Sequence, residues 1–418
     1  MKSEWEVKPI TNIVGFNPKH TVKKGALVSY VEMAAVPEHS REIAYFDNRE
    51  FKSGSKFQNG DTLFSRITPC LQNGKTCRVS QLAKDEIANG STEFIVMSAK
   101  NSIDKAFVYY LALSKEFRKY AEGRMEGTTG RQRVSWQSLS EYELPMPPKE
   151  IRKKISYTLS TLDDKIELNR RMNQTLEEMA QALFKSWFVD FDPVHAKNNA
   201  TNDADYEQIA KELGISRKVL DLFPDKFEES GLGMIPIGWK VKELGDFFPV
   251  VTGKKNANIA TNDGKYIFFT CSQSASKTDV YSFDAAAILL AGNCDFNVKW
   301  YRGKFEAYQR TYVLIPRDIE FLSFLYFLIS YKLSDITQSS QGSVVKFITK
   351  GMIENYKIAL PNEIVLKDLV GIFSNINFKI EGNLEQIKTL QKTRDTLLPK
   401  LLSGELDVSE LELDNATH

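Results

Sequence analysis

The chain is written twice. Trp5-Glu6-Val7-Lys8 recurs as Trp239-Lys240-Val241-Lys242, and Lys165-Ile166-Glu167-Leu168-Asn169 recurs as Lys379-Ile380-Glu381-Gly382-Asn383. Between these anchors Ser135, Leu139, Tyr142 and Leu144 match Thr349, Ile353, Tyr356 and Ile358 in the same order. The second copy is about twenty residues shorter, and the loss falls inside its globular part. Several ordered matches with one constant offset after the deletion mark a duplication, so any fold must be built from two similar units.

Each unit ends in a long amphipathic stretch. Pro147-Pro148 opens the first and Pro361 the second. Apolar residues then recur in steps of three and four: Ile151, Ile155, Leu159, Leu162, Ile166, Leu176, Met179 and Leu183, and in the second copy Val365, Leu369, Phe373, Ile376, Ile380, Ile387, Leu390, Leu397 and Leu401. A helix of roughly 40 residues is about 60 Å long. So narrow a stripe cannot be buried by its own small domain, and the other helix is the simplest partner. Duplicated units pair about a pseudo-twofold axis, which makes the helices antiparallel and sets midpoint opposite midpoint. Asn169 and Asn383 lie near those midpoints on the apolar seam. Facing one another they would hydrogen-bond and fix register; rotated outward they would be solvated.

Ahead of each helix the pattern is mixed. Strand-like runs at 61–67 and 93–97 precede a helical stretch at 106–120; their counterparts are 285–290, 310–315 and 321–333. The expected class is α+β: two similar α/β domains separated by two long antiparallel helices that form a coiled-coil spacer. The domains are 1–146 and 235–360, and the helices 147–190 and 361–404. A polar linker with a short helix near Tyr206–Leu213 spans 191–234, and an acidic tail at 405–418 is expected to fray.

Composition narrows the function. Lys+Arg is 55 against Asp+Glu 54, a net charge of +1, with 42% hydrophobic and 26% charged residues in 418. That is an ordinary soluble composition for two to four domains. A protein that grips nucleic acid alone is usually visibly basic, so DNA binding here needs local charge or a partner that supplies part of the phosphate grip. The four cysteines, Cys70, Cys77, Cys271 and Cys294, form no CxxC pair, which excludes zinc ribbons and suggests a reducing compartment. The polar start MKSEWEVKP has no signal-peptide core, and the longest apolar run, 321–333, is too short for a bilayer. A cytoplasmic location without membrane association is expected.

Catalytic motifs are missing. Gly74-Lys75-Thr76 resembles the end of a phosphate-binding loop, but the required earlier glycine is Pro69. The only Pro-Pro opens a helix instead of an adenine-methylating loop. Glu50-Phe51-Lys52 lacks an upstream acidic partner for a nuclease. His20, His39, His195 and His418 show no ligand or triad spacing. No catalytic residue and no metal ligand is assigned. Polar, basic loops remain. The first unit offers Arg66, Gln72, Asn73 and Lys75, then Gly127-Thr128-Thr129-Gly130-Arg131-Gln132-Arg133; the second offers Gly253-Lys254-Lys255-Asn256, Lys299-Trp300-Tyr301-Arg302-Gly303-Lys304, and Gly342-Ser343 with Lys346. Arg and Lys suit guanine edges and phosphates, and Asn and Gln suit adenine. Solvated surface loops look the same. Trp187 and Phe188, near the end of the first helix, are either core or an anchor for a partner subunit.

The pattern resembles the specificity subunit of type I restriction-modification enzymes. The resemblance rests on Gly60-Asp61-Thr62-Leu63-Phe64-Ser65-Arg66-Ile67, Ser91-Thr92-Glu93-Phe94, the Gly127–Gln132 loop ahead of Leu144-Pro145-Met146-Pro147-Pro148, and Leu183-Phe184-Lys185-Ser186-Trp187-Phe188-Val189-Asp190-Phe191. It continues in Ile235-Pro236-Ile237-Gly238-Trp239, in Tyr301-Arg302-Gly303-Lys304-Phe305 with Arg310-Thr311-Tyr312-Val313-Leu314, and in Leu397-Leu398-Pro399-Lys400-Leu401-Leu402-Ser403-Gly404-Glu405-Leu406. The second unit departs from it with Leu289-Leu290-Ala291-Gly292 in place of Leu-Phe-Ser-Arg. The resemblance implies two target recognition domains on a paired-helix spacer, reading an asymmetric, split site in double-stranded DNA. It also implies two methylation subunits carrying S-adenosylmethionine, and restriction/translocase subunits carrying ATP and Mg, with no cofactor on this chain. A coiled-coil scaffold whose modules bind proteins is the rival reading, and an enzyme with an unrecognised site a third.

Overall fold

The computed structural model describes residues 5–38, 40–128, 130–198, 200–261, 263–338 and 346–413. Thr129, Gly342 and Ser343 of the basic loops, with His39 and His418, lie outside them. No described helix is long and apolar enough to cross a membrane. The chain folds as two compact units. One joins everything up to Arg171 with everything from Asn383 onward; the other is Met172–Gly382. Each unit therefore owns one globular part and half of each long helix.

Four helices organise the units: α1 (Lys105–Leu113), α2 (Lys149–Phe188), α3 (Leu322–Tyr331) and α4 (Glu363–Leu402). The two prolines before α2 remove donors where a helix start has them to spare. Asn362 caps α4, its Oδ1 accepting from Ile364 N–H and Val365 N–H at 3.1 Å each. Gly404, with φ of 70°, takes the left-handed conformation that ends α4.

In the first unit β1 (Val14–Phe16), β2 (Thr62–Ser65), β3 (Thr76–Arg78) and β4 (Phe94–Ala99) form an antiparallel sheet in the order β1-β4-β2-β3. The second unit repeats it with β5 (Val250–Thr252), β6 (Phe283–Ala291), β7 (Val298–Ala307) and β8 (Thr311–Leu314), in the order β5-β8-β6-β7. The register is shared: Leu63 faces Val96, and Leu289 faces Val313. A small antiparallel pair also recurs, with Lys8 opposite Leu144 and Lys242 opposite Ile358. The units differ in their additions. The first carries a separate four-stranded sheet from within 27–90, and the second extends its main sheet with Tyr266–Phe269 and Ser276–Thr278.

Within each unit the two long helices run antiparallel. In the first, Ile155 and Leu159 share a core cluster with Leu398 and Leu401, and the buried Asp163 meets the buried Arg394 at 2.8 Å. Tyr110 on α1 donates to the other Asp163 oxygen at 2.8 Å. In the second, Trp187 stands edge-on to Phe373 with ring centroids 6.0 Å apart. Asn169 and Asn383 are both buried in the seam, but Asn169 donates to Gln386 Oε1 at 2.7 Å, so the register bond runs to a position three residues beyond Asn383.

Burial places two aromatics left open by the sequence, and two further expectations change. Trp187 and Phe188 are 2% and 3% exposed and sit in the core of the second unit, packed on Phe223, Phe324 and Trp239. They are core residues of that unit. The start of the linker folds: Asp192–Lys197 is a helix with Pro193 and Val194 buried, and the Lys197 ammonium is hydrogen-bonded to Phe223 O. The tail continues to pack after Gly404. Leu406 N–H donates to Lys400 O at 3.0 Å, Val408 lies against the first core, and Lys154 Nζ donates to Ser409 O.

Candidate nucleic-acid interface

In the first unit, β2 ends at Ser65 and delivers Arg66 to a loop. Arg66 N–H donates to Glu93 O, and Val134 N–H donates to Arg66 O, both at 3.0 Å. Two residues on, Thr68 N–H donates to Gln132 O at 3.0 Å, and Gln132 N–H donates to Thr68 Oγ1 at 3.1 Å. Reciprocal main-chain bonds between Glu126 and Arg133 close the hairpin that holds Arg131. The two loops singled out in the first half of the sequence are thus laced together beside Glu93.

The second unit uses the same lacing. Gly292 N–H donates to Arg310 O at 2.8 Å, Ile348 N–H to Gly292 O at 3.0 Å, and Cys294 N–H to Lys346 O at 3.3 Å. The bridge between Ile67 and Arg133 becomes a bridge between Asn293 and Phe347. Position for position, Arg66, Glu93, Gln132 and Arg133 become Gly292, Arg310, Lys346 and Phe347. One frame carries two different chemistries.

Side chains sort into presented and committed groups. Arg131, Gln72 and Asn73 are exposed, and Arg66 is half-buried with an unpartnered Nε. Arg133 is committed: it forks onto Glu93 with contacts of 2.7, 2.9 and 3.0 Å. Lys75 donates to Met33 O at 3.0 Å and works as a tether. Arg118, passed over in the sequence, shapes the 71–76 turn by donating to Leu71 O, Gly74 O and Thr76 Oγ1 at 2.9, 3.1 and 2.8 Å.

In the second unit Lys254, Lys255 and Asn256 are exposed next to the 308–311 turn, where Gln309 N–H donates to Lys255 O at 3.0 Å. Gly253 permits this approach, because a Cβ there would lie 2.0 Å from Ala307 O. Lys346 is exposed beside them, as are Gln309 and Arg310, which the sequence reading did not assign.

The segment Lys299–Lys304 departs from expectation. It is not a loop but the middle of the ten-residue strand β7, with Arg302 opposite Ala286 and Lys304 opposite Asp284. Strand alternation splits the group: Arg302 and Lys304 share the face of Trp300, while Lys299 shares the face of Tyr301 and Phe305. Lys299 donates to Ser272 O at 2.7 Å and to Asn297 Oδ1, and burial lowers the pKa of its ammonium. The Lys304 ammonium lies 4.9 Å from the Tyr281 ring centroid.

Known proteins are similar to this chain. The type I restriction modification DNA specificity domain matches residues 2–178 and 236–387, one stretch in each copy of the repeat. The EcoDI type I restriction enzyme specificity subunit of Escherichia coli is 40% identical over 179 residues, which covers 42% of this chain and 40% of that protein. The HindI specificity subunit of Haemophilus influenzae is 29% identical over 87% of this chain and 90% of its own length. The crystal structure of a type I S subunit from M. genitalium has the same fold, with a TM-score of 0.51 at 16% identity over 95% of this chain and 96% of that one. Two matched stretches, spanning well over half the residues and laced by equivalent loops, place this chain in the family of type I restriction-modification DNA specificity proteins.

Proposed function

We propose that this chain is the sequence reader of a type I restriction-modification complex and performs no chemistry itself. Each globular part reads one half of a split DNA site through the major groove. The observation that carries the reading is the pair of equivalent loop frames with unlike side chains. A shared frame presents both readers alike, and Arg66 against Gly292, or Glu93 against Arg310, makes the two half-sites differ. Arg131, Gln72, Asn73 and Arg66 are the readers of the first half. Lys254, Lys255, Arg310 and Lys346 serve the second, with Arg302 and Lys304 nearer the phosphates.

In this reading α2 and α4 act as a ruler. At about 1.5 Å per residue each helix is ~60 Å long, which suits half-sites about one to two turns apart on DNA. Two methylation subunits supply the adenine-N6 chemistry with S-adenosylmethionine, and restriction/translocase subunits supply the ATP- and Mg-dependent steps. With a net charge of only +1, the chain relies on the methylation subunits for much of the non-specific phosphate grip. A scaffold whose modules bind proteins is displaced by the family assignment.

The test is to express the chain with its methylation subunit and sequence the adenines modified in a random duplex pool. Two unlike half-sites at one fixed gap are expected. A contiguous or palindromic site would refute the reading. Adding one heptad to each helix lengthens the pair by about 10 Å and should widen the preferred gap by roughly three base pairs.

A further inference from the structure

One cleft lies wholly within the first unit. It encloses about 740 Å³ between the β3 edge, the start of α1 and a flank of α2, with Leu413 at its border. Three cations line it, Arg78, Lys105 and Lys153. None of them has an ion-pair partner among the described residues. The one carboxylate on the wall, Asp164, is already taken by Arg41 at 2.6 Å. Ser156 also lines the cleft; it is 7% exposed and its hydroxyl meets no partner. A buried hydroxyl left in that state is costly unless something supplies an acceptor. The start of α1 borders the same space, continuing from a capped turn at Ser102–Asp104, and the Asp104 carboxylate is held by Arg152 at 2.7 and 3.1 Å.

The repeat sharpens the contrast. The counterpart of Lys153 is Lys367, which lies 3.5, 3.9 and 3.4 Å from Asp318, Glu320 and Glu363. The counterparts of Ser156 and Asp164 are Val370 and Phe378. Two like partners docked on the two copies would meet matching surfaces. At these positions the lining of the cleft therefore differs between the two copies.

We propose that this cleft binds a phosphate group, held by Lys105, Lys153 and Arg78, with the Ser156 hydroxyl donating to its oxygens. The proposal does not depend on which residues read DNA. Two sources share this chemistry: a free phosphate ester and the backbone of a nucleic acid strand.

The test titrates the full chain with inorganic phosphate at constant ionic strength, followed by phosphorus NMR line width and by thermal shift. Saturable binding is expected. Replacing two exposed residues together, Lys105→Glu with Lys153→Glu, should weaken it by about tenfold or more. Ser156→Ala should weaken it by about threefold, while Lys367→Glu in the second unit should leave it unchanged. No saturable binding, or equal binding by the double variant, overturns the proposal. A second arm assigns the source. If phosphate competes with a random duplex and the double variant weakens duplex binding at every sequence, the group is backbone. If duplex affinity is unchanged while phosphate affinity falls, it is a free phosphate ester.

Discussion

The two halves of the helix seam occupy equivalent positions and solve the same packing problem with opposite materials. In the first unit Asp163 and Arg394 form a buried ion pair, joined by the Tyr110 hydroxyl. Burial and the Asp163 charge both push the Tyr110 pKa well above the usual phenol range, which keeps the hydroxyl a donor. In the second unit the same positions hold Asn377 and Ala180, and the seam is filled by the rings of Phe184, Trp187, Phe188, Phe324 and Phe373. The Asn377 amide oxygen is buried without a partner. Backbone geometry is inherited by both copies, whereas polarity at a seam position is free to drift as long as each copy compensates locally.

The largest effect is expected where that compensation is removed. Arg394→Ala leaves Asp163 buried and unpaired, and breaking such a pair costs about 3–5 kcal/mol. Hydrogen exchange should show the loss in the first unit alone, with faster exchange across Ile155–Arg171; an unfolding midpoint close to that of the parent would contradict the pairing. Asn377→Leu in the second unit should be neutral or stabilising, because replacing an unsatisfied polar group by a similar apolar one removes a penalty. A large destabilisation there would show that the two halves are more alike than their side chains.

The reading loops give a smaller, more selective contrast. Arg131→Ala should cost about 1–3 kcal/mol of specific DNA binding and relax one base of one half-site, and Arg310→Ala should do the same in the other half. Methylated-site mapping separates these results from a uniform loss, which would reassign either residue to phosphate. The smallest change concerns Glu93. Its removal frees the Arg133 guanidinium while leaving folding nearly untouched, because the pair is partly solvated. Tighter duplex binding with a steeper salt dependence is expected for Glu93→Ala, and an unchanged salt slope would mean that Arg133 faces away from the strand.

Much of this was legible in the sequence because duplication and heptad spacing are long-range signals that survive local noise. The prolines ahead of α2 and α4, the antiparallel seam and the burial of Asn169 all follow from them. What escaped was set by pairing between distant segments. Asn169 chose Gln386 because the seam is staggered by a few residues, and a heptad pattern defines a face more tightly than an axial offset. Lys299–Lys304 looked like a loop because charge and glycine dominate its composition, yet its apolar partners Ala285–Leu290 dictate a strand. Trp187 and Phe188 were ambiguous because large aromatics suit cores and contact surfaces equally. The pairing of Glu93 with Arg133, and its replacement by Arg310 and Phe347, becomes visible only once sheet register aligns the two copies.

The division of each helix between two units also dictates an order of events at the ribosome. The second unit is a single run from Met172 to Gly382, so every residue it needs is present once that point has been translated. The first unit begins to emerge earlier but lacks the strip from Asn383 to Leu413, including Arg394 and Leu401. The portion made first is therefore completed last. Until then Asp163 and the apolar flank around Ile155 await their partners, so a premature stop near the end of the message disables the opening half of the protein and spares the middle.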